Sequence, residues 1–291
     1  VMSAMMTDIV RNSNNTIFMA QQGGVIYKSV NNGQDWEKIQ SNLQVAYIWK
    51  LARDGGNKLY AATERGLYSS TNDGVYWVKT AFGDYDIRGL AIDALGKIYV
   101  GTWGTGVYSS NDGGNTWIEL NNGLDIKNVH TLALMGNKLF CGTFGGGVYK
   151  LETTNPTAWV KEVVGYNHIW TLAVTHDNVL LAGTYGGGMY RSVDGGSTWQ
   201  LAINGINSRY IYHIFVGSNN VVYASGWAAG IFASTNNGEN WSSGGLEGLG
   251  INLAFSSCSS SKEAGQRVYA VSANGTIYYT DSPFTSVEEN I

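Results

Sequence analysis

The stretch GTYGGGMYRSVDGGSTW, residues 183–199, holds two glycine clusters whose meaning decides the fold. Glycines that open a helix cradle phosphate with backbone N–H groups. Glycines between two strands let the chain reverse without a Cβ penalty. Here the run Gly186–Gly188 is followed by MYRS and the pair Gly195–Gly196 by WQLA, both short, apolar and strand-like. No helix follows either cluster, so nucleotide binding is excluded and the glycines are read as turns.

The second half of the stretch recurs. Ser-x-(Asp/Asn)-x-Gly-x-x-Trp is found at 29–36, 70–77, 110–117, 192–199 and 234–241. Trp36, Trp77 and Trp117 lie 41 and 40 residues apart, and Trp199 and Trp241 lie 42 apart. Trp159 fills the midpoint of the remaining gap inside a degraded copy, LETTNPTAW, and a Trp-less copy, TDSPFTSV, follows near the C-terminus. Each repeat carries four β signals, as in NVHTLAL, KLFCGT, GVYK and a fourth opened by the tryptophan (WEKI, WVKT, WIEL, WQLA). No stretch has helical periodicity over a helix's length. Four short strands per repeat of this length predict an all-β fold, a single seven-bladed β-propeller of four-stranded antiparallel blades, as one domain over 1–291. The first and last blades are the least regular. Either the C-terminal SVEENI supplies the last blade's outer strand or the N-terminal VMSAMM latches onto it.

The turn motif resembles the Asp-box (BNR) repeat of sialidases, xyloglucan-cleaving glycosidases, sortilin-type receptors and photosystem II assembly factors. The wording GTxGGGVYxSxDGGxTW is most similar to the xyloglucanase and assembly-factor branches. That resemblance implies a propeller and leaves the function open, because these families do different things on one scaffold.

Composition removes several classes of partner. Net charge is −4, only 14% of residues are charged, and no Lys/Arg cluster exceeds a dipeptide, which argues against nucleic acid and anionic membrane surfaces. No apolar run approaches the roughly 18 residues of a membrane span. Low charge with abundant Asn, Gly, Ser and Thr points to an extracellular or periplasmic, monomeric protein. Cys141 and Cys258 read as buried thiols, no cofactor is implied, and His130, His168, His176 and His213 lack metal-ligand spacing. The sequons at Asn14, Asn240 and Asn274 decide nothing in an Asn-rich chain.

In a four-stranded meander, the Asx-Gly turns share one face. The loops between strands two and three, and the segments leading into strand one, lie on the other. That second face carries two aromatic-rich sets. Trp103, Phe144, Tyr185 and Trp227 follow the Gly-Thr or Ser-Gly pair, and Trp49, Arg88, His130, Trp170 and Tyr212 share a position near the start of the innermost strand. Aromatic faces bind sugars and cations and anchor proteins, so these nine residues form the expected ligand-binding set. The expected ligand is carbohydrate, with a protein partner or assembly role as the alternative. A glycoside hydrolase needs a carboxylate pair, for which Asp86 with Glu64 or Asp125 are the candidates and Asp84 stands nearby. A sialidase is disfavoured because neither Pro156 nor Pro283 completes an Arg-Ile-Pro motif, although Arg65, Arg88 and Arg209 fall near this face.

Overall fold

The computed structural model describes residues 6–217, 220–226 and 229–243, and the backbone of 268–271, 277–280 and 288–290. Its smallest repeated unit is the Ser-x-Asx-x-Gly-x-x-Trp turn. The Ser110 hydroxyl donates to Asp112 Oδ1 at 2.8 Å and accepts the Gly114 N–H at 2.9 Å. Asp112 Oδ1 also accepts the Thr116 N–H at 2.9 Å, and the Trp117 indole N–H donates to the Gly114 carbonyl at 3.1 Å. The same four bonds recur in the other four copies. Polar groups that the chain reversal would leave idle are thus paired locally. Two successive residues are left-handed, as at Gly113 and Gly114 (φ 71° and 95°) and at Asn237 and Gly238 (56° and 77°). That is why the residue before the shared glycine is always Asn, Asp or Gly, the types that tolerate this region.

Each turn joins the third and fourth strands of a sheet. In blade 3, Ile87–Ile92, Ile98–Thr102, Gly106–Ser110 and Ile118–Glu119 pair antiparallel in chain order. The second strand is buried at every residue, which explains its unbroken small and apolar run. The fourth strand begins after the tryptophan and is two residues long, shorter than WIEL suggests.

Six such four-stranded sheets stand among the described residues. Their first strands are Met6–Arg11, Ile48–Arg53, Ile87–Ile92, Val129–Met135, Ile169–Val174 and Ile211–Val216, for blades 1 to 6. A three-stranded sheet follows, Val268–Val271, Ile277–Thr280 and Glu288–Asn290. The expectation of seven four-stranded blades is therefore corrected to six; residues 244–267, ahead of the three-stranded sheet, lie outside the described residues, as does Cys258. Glu288–Asn290 pairs with Ile277–Thr280, so SVEENI does supply the outer strand of that last sheet.

First strands of successive blades pack side by side. Their approach depends on the glycine of each Gly-Thr pair. A Cβ at Gly142 would lie 2.5 Å from Ile169 Cγ2 on the next blade, and one at Gly101 would lie 2.4 Å from Val129 Cγ1. Blade 4 departs from the pattern at 151–159. Its Trp159 indole donates to the Leu120 carbonyl of blade 3 instead of to a turn of its own, and Lys150 pairs with the buried Glu162 at 2.6 Å. Cys141 is a buried free thiol that burial pushes up out of reactive range.

Two outcomes test this account of the turns. Ser110→Ala leaves the buried Gly114 N–H unpaired and should cost about 1–3 kcal/mol in urea unfolding; no measurable loss would contradict it. Asp112 and Asp194 are held down at about 2, chiefly by the Thr116 and Thr198 hydroxyls. The unfolded chain, with carboxylates near about 4, binds more protons in that window. Their contribution is present above the unfolded value and lost as pH falls towards 2. A double Asp112→Asn, Asp194→Asn variant should show a shallower fall of melting temperature over this range than the wild type.

Candidate ligand-binding face

The innermost strand of every described blade is interrupted at the same place. In blade 2, Ile48 faces Thr63 and Lys50 faces Ala62, leaving Trp49 as the extra residue of a β-bulge. The equivalent residues are Thr7, Arg88, His130, Trp170 and Tyr212. A bulge bends its strand and re-aims the extra side chain. The aligned position read from the sequence is thus a repeated backbone irregularity, not an ordinary ladder position.

The second set is built by a buried threonine. Thr184 Oγ1 accepts the Gly187 N–H at 2.9 Å and donates to the Gly188 carbonyl at 2.8 Å, closing the loop that presents Tyr185. Thr102 and Thr143 likewise donate to the carbonyls of Gly106 and Gly147, behind Trp103 and Phe144. Each loop is then tied to the segment leading into the next blade. The N–H groups of Gly186 and Gly188 both reach the Arg209 carbonyl ahead of blade 6, while the Tyr185 N–H donates to the His168 carbonyl ahead of its own blade's first strand at 3.0 Å. Isolated bridges join Trp103 to Asn128, Phe144 to His168 and Tyr185 to Tyr210. A Cβ at Gly187 would fall 2.5 Å from the Tyr166 ring, so the glycine run makes room for another aromatic.

The two sets merge into one surface. Ring centroids of Trp103 and Phe144 are 5.6 Å apart, and those of Phe144 and Tyr185 are 6.2 Å apart. Trp170 stacks on Tyr185 at 5.4 Å, and lies 5.3 Å from Tyr212 and 4.1 Å from His130. The Arg88 guanidinium lies 4.0 Å from the Trp103 ring centre and 4.8 Å from that of Trp49, which itself stacks on Tyr47. Tyr185 and Tyr210 are 42% and 41% exposed, while Trp49, Arg88, Trp103, His130, Phe144, Trp170 and Tyr212 are half-buried. Trp227 lies outside the described residues. Sequence reasoning missed Tyr47, Tyr166, His168 and Tyr210. All four precede a first strand, and their signal was an aromatic or histidine one to three residues before the Ile-x pair that opens it.

The surface is aromatic and electrically quiet. Burial pushes His130 down to about 3; the Arg88 and Lys50 charges act in the same direction, and the bond to the Trp170 carbonyl opposes them. His130 is therefore neutral, with Nδ1 donating to that carbonyl at 2.9 Å and Nε2 left as an acceptor. Tyr212 is raised to about 12, by burial first and then by Tyr185 and Tyr210.

The carboxylates do other work. Glu64 Oε1 accepts the Ala46 N–H at 2.7 Å and Oε2 the Tyr47 N–H at 2.9 Å, so both oxygens hold the segment leading into blade 2. Asp86 Oδ2 pairs with Arg88 Nε at 3.1 Å, and Asp84 pairs with Lys79. Asp125 is exposed, and its charge adds to the burial that raises the Tyr149 phenol. Of the three arginines placed near this face, Arg65 lies 3.9 Å from Glu64, Arg88 sits between the two tryptophans, and Arg209 lends its carbonyl to the Tyr185 loop.

No family model and no curated protein matches the chain. Solved structures do. An ancestral GH74 enzyme aligns over 100% of this chain and 47% of its own, with a TM-score of 0.79 at 19% identity. The extracellular domain of a one-component system from B. thetaiotaomicron aligns over 98% of this chain and 42% of its own, with a TM-score of 0.76 at 15% identity. YCF48 bound to D1 peptide aligns over 98% of this chain and 95% of its own, with a TM-score of 0.76 at 16% identity. The chain thus spans less than half the length of the first two proteins and nearly all of the third. At these identities the likeness shows the fold, an all-β propeller of the kind found in GH74 enzymes and YCF48.

Proposed function

We propose that this propeller is a non-catalytic, extracellular carbohydrate-binding protein that holds its ligand along the aromatic face. The observation carrying this reading is the continuous run of half-exposed rings from Trp49 across Arg88 and Trp103 to Phe144, Trp170, Tyr185 and Tyr212. Successive flat rings offer stacking platforms for the apolar faces of successive sugars. Arg88, the His130 acceptor nitrogen and the tyrosine hydroxyls supply hydrogen bonds at their edges. Asp-box propellers with an Asx-turn face opposite the ligand suit this arrangement, and the chain is read as one monomeric domain over 1–291. Extracellular placement is supported by the extracellular domain among the structural neighbours, and no helix among the described residues is long and apolar enough to cross a membrane.

Binding is favoured over hydrolysis. A glycosidase needs one carboxyl free to give a proton and another free to attack or to activate water. Glu64 has both oxygens committed to backbone N–H groups, and Asp86 is paired with Arg88. The second reading is an assembly factor binding a protein segment on the same face. Tyr, Trp and Arg, in this concentration, are the residues that dominate protein interfaces, and YCF48 binds a peptide.

A glycan array followed by titration calorimetry tests the first reading. Trp103→Ala and Trp170→Ala should each cost about 2 kcal/mol, roughly thirtyfold in affinity. Tyr76→Ala, an exposed aromatic in an Asx-Gly turn, should cost nothing. Because His130 stays neutral well below its ordinary range, affinity should be flat between pH 5 and pH 8. An array without a hit, combined with peptide capture lost in the same two tryptophan variants, would move the function to the second reading.

A further inference from the structure

The residue after the bulge is ionisable in three blades. Lys50 takes this place in blade 2, Asp8 in blade 1 and His213 in blade 6. The Lys50 ammonium lies 3.7 Å from Asp8 Oδ1 and is about a third exposed. Burial above all, with a smaller contribution from its charge, lowers His130 in blade 4 and His213 in blade 6. First strands are the innermost of each blade and pack side by side, so this shared register position lies towards the axis of the propeller, inside the aromatic face.

Polar atoms at the bulges and at the positions after them lack partners among the described residues. At 3.7 Å, Asp8 is an ion-pair partner outside hydrogen-bond range, and its other oxygen accepts the Leu51 N–H at 2.7 Å. Among the described residues, the buried atoms Trp49 Nε1, His213 Nδ1 and Thr7 Oγ1 have no hydrogen-bond partner. Trp49 and Thr7 are bulge residues on neighbouring first strands, and His213 lies on a third. An indole N–H and an ammonium can only donate. Buried polar atoms left unpaired in a native structure mark strain or an absent partner. The partner that fits a charged donor, a neutral indole N–H and a histidine is an acceptor-only, negatively charged group.

We propose that the axial floor of the aromatic face is an oxyanion subsite, in which Lys50, with Trp49 Nε1 and His213, binds a sulfate, phosphate or carboxylate. The group comes either as a free ion or as the acidic substituent of a saccharide held by the rings. The subsite stands whether or not the rings bind carbohydrate, since a small ion needs only the axial donors. Asp8 positions Lys50 while leaving its N–H groups free for the ion.

Crystals of the wild-type protein soaked in selenate give the direct test. The expected result is an anomalous peak within hydrogen-bond distance of Lys50 Nζ; no peak there overturns the proposal. Calorimetry at constant ionic strength separates the two sources. Sulfate binding alone points to a free ion, and methyl glucuronide binding more tightly than methyl glucoside points to an acidic sugar. Lys50→Met should weaken oxyanion binding at least tenfold. Asp8→Asn with Lys50→Met, which removes both charges together, and His213→Gln serve as further variants, checked by thermal melting. Oxyanion affinity unchanged in folded Lys50→Met or the folded double variant overturns the proposal. Failure here with neutral oligosaccharides still bound by the rings leaves the carbohydrate reading intact, and the reverse result leaves the subsite intact.

Discussion

The structure depends on how closely one blade can approach the next. At Gly142 the backbone runs so near Ile169 that a single added carbon would fall 2.5 Å from its methyl group. The threonine that follows folds the loop back on itself, and the loop's N–H groups then bond to carbonyls leading into the next blade. Close packing, loop shape and ring placement are therefore one constraint expressed three times. The loop backbone cannot move without breaking its bonds to the next blade. Such rigidity suits a binding surface, because little conformational entropy remains to be lost when a ligand arrives.

Much of this was legible in the sequence because the turns are local. The Ser-x-Asx-x-Gly-x-x-Trp bonds span at most four residues, so residue type and spacing fix them before any tertiary contact forms. The period of the tryptophans then delivered the blade architecture, and the alternation of loops delivered the face. The bulges were not legible. Trp49, Arg88 and His130 have no side-chain signature in common; what they share is a register slip against the second strand, which only pairing reveals. Glu64 looked like a catalytic candidate because a loop acid carries no mark in the sequence of the backbone N–H groups it will cap. Trp159 kept the period of the repeat while its indole found a partner on the preceding blade.

Chemically the face is unusual for its lack of free charge. Arg88 is flanked by two tryptophans and paired with Asp86, His130 is neutral, and Tyr212 holds its proton. On the proposed reading, recognition there runs through ring faces and neutral hydrogen bonds, with the ionic donor at Lys50. That division separates a broad platform, tolerant of ligand length, from a small charged floor that selects an end group.

The account stands or falls on where a ligand touches the tryptophans, and the indole region of a 1H–15N spectrum reads that directly. Adding a bound oligosaccharide should shift the Nε1–H signals of Trp49, Trp103 and Trp170. Those of Trp36, Trp77, Trp117, Trp199 and Trp241, which bond to their own turns, should stay in place. Shifts confined to the second group would put the ligand on the opposite face and contradict the account.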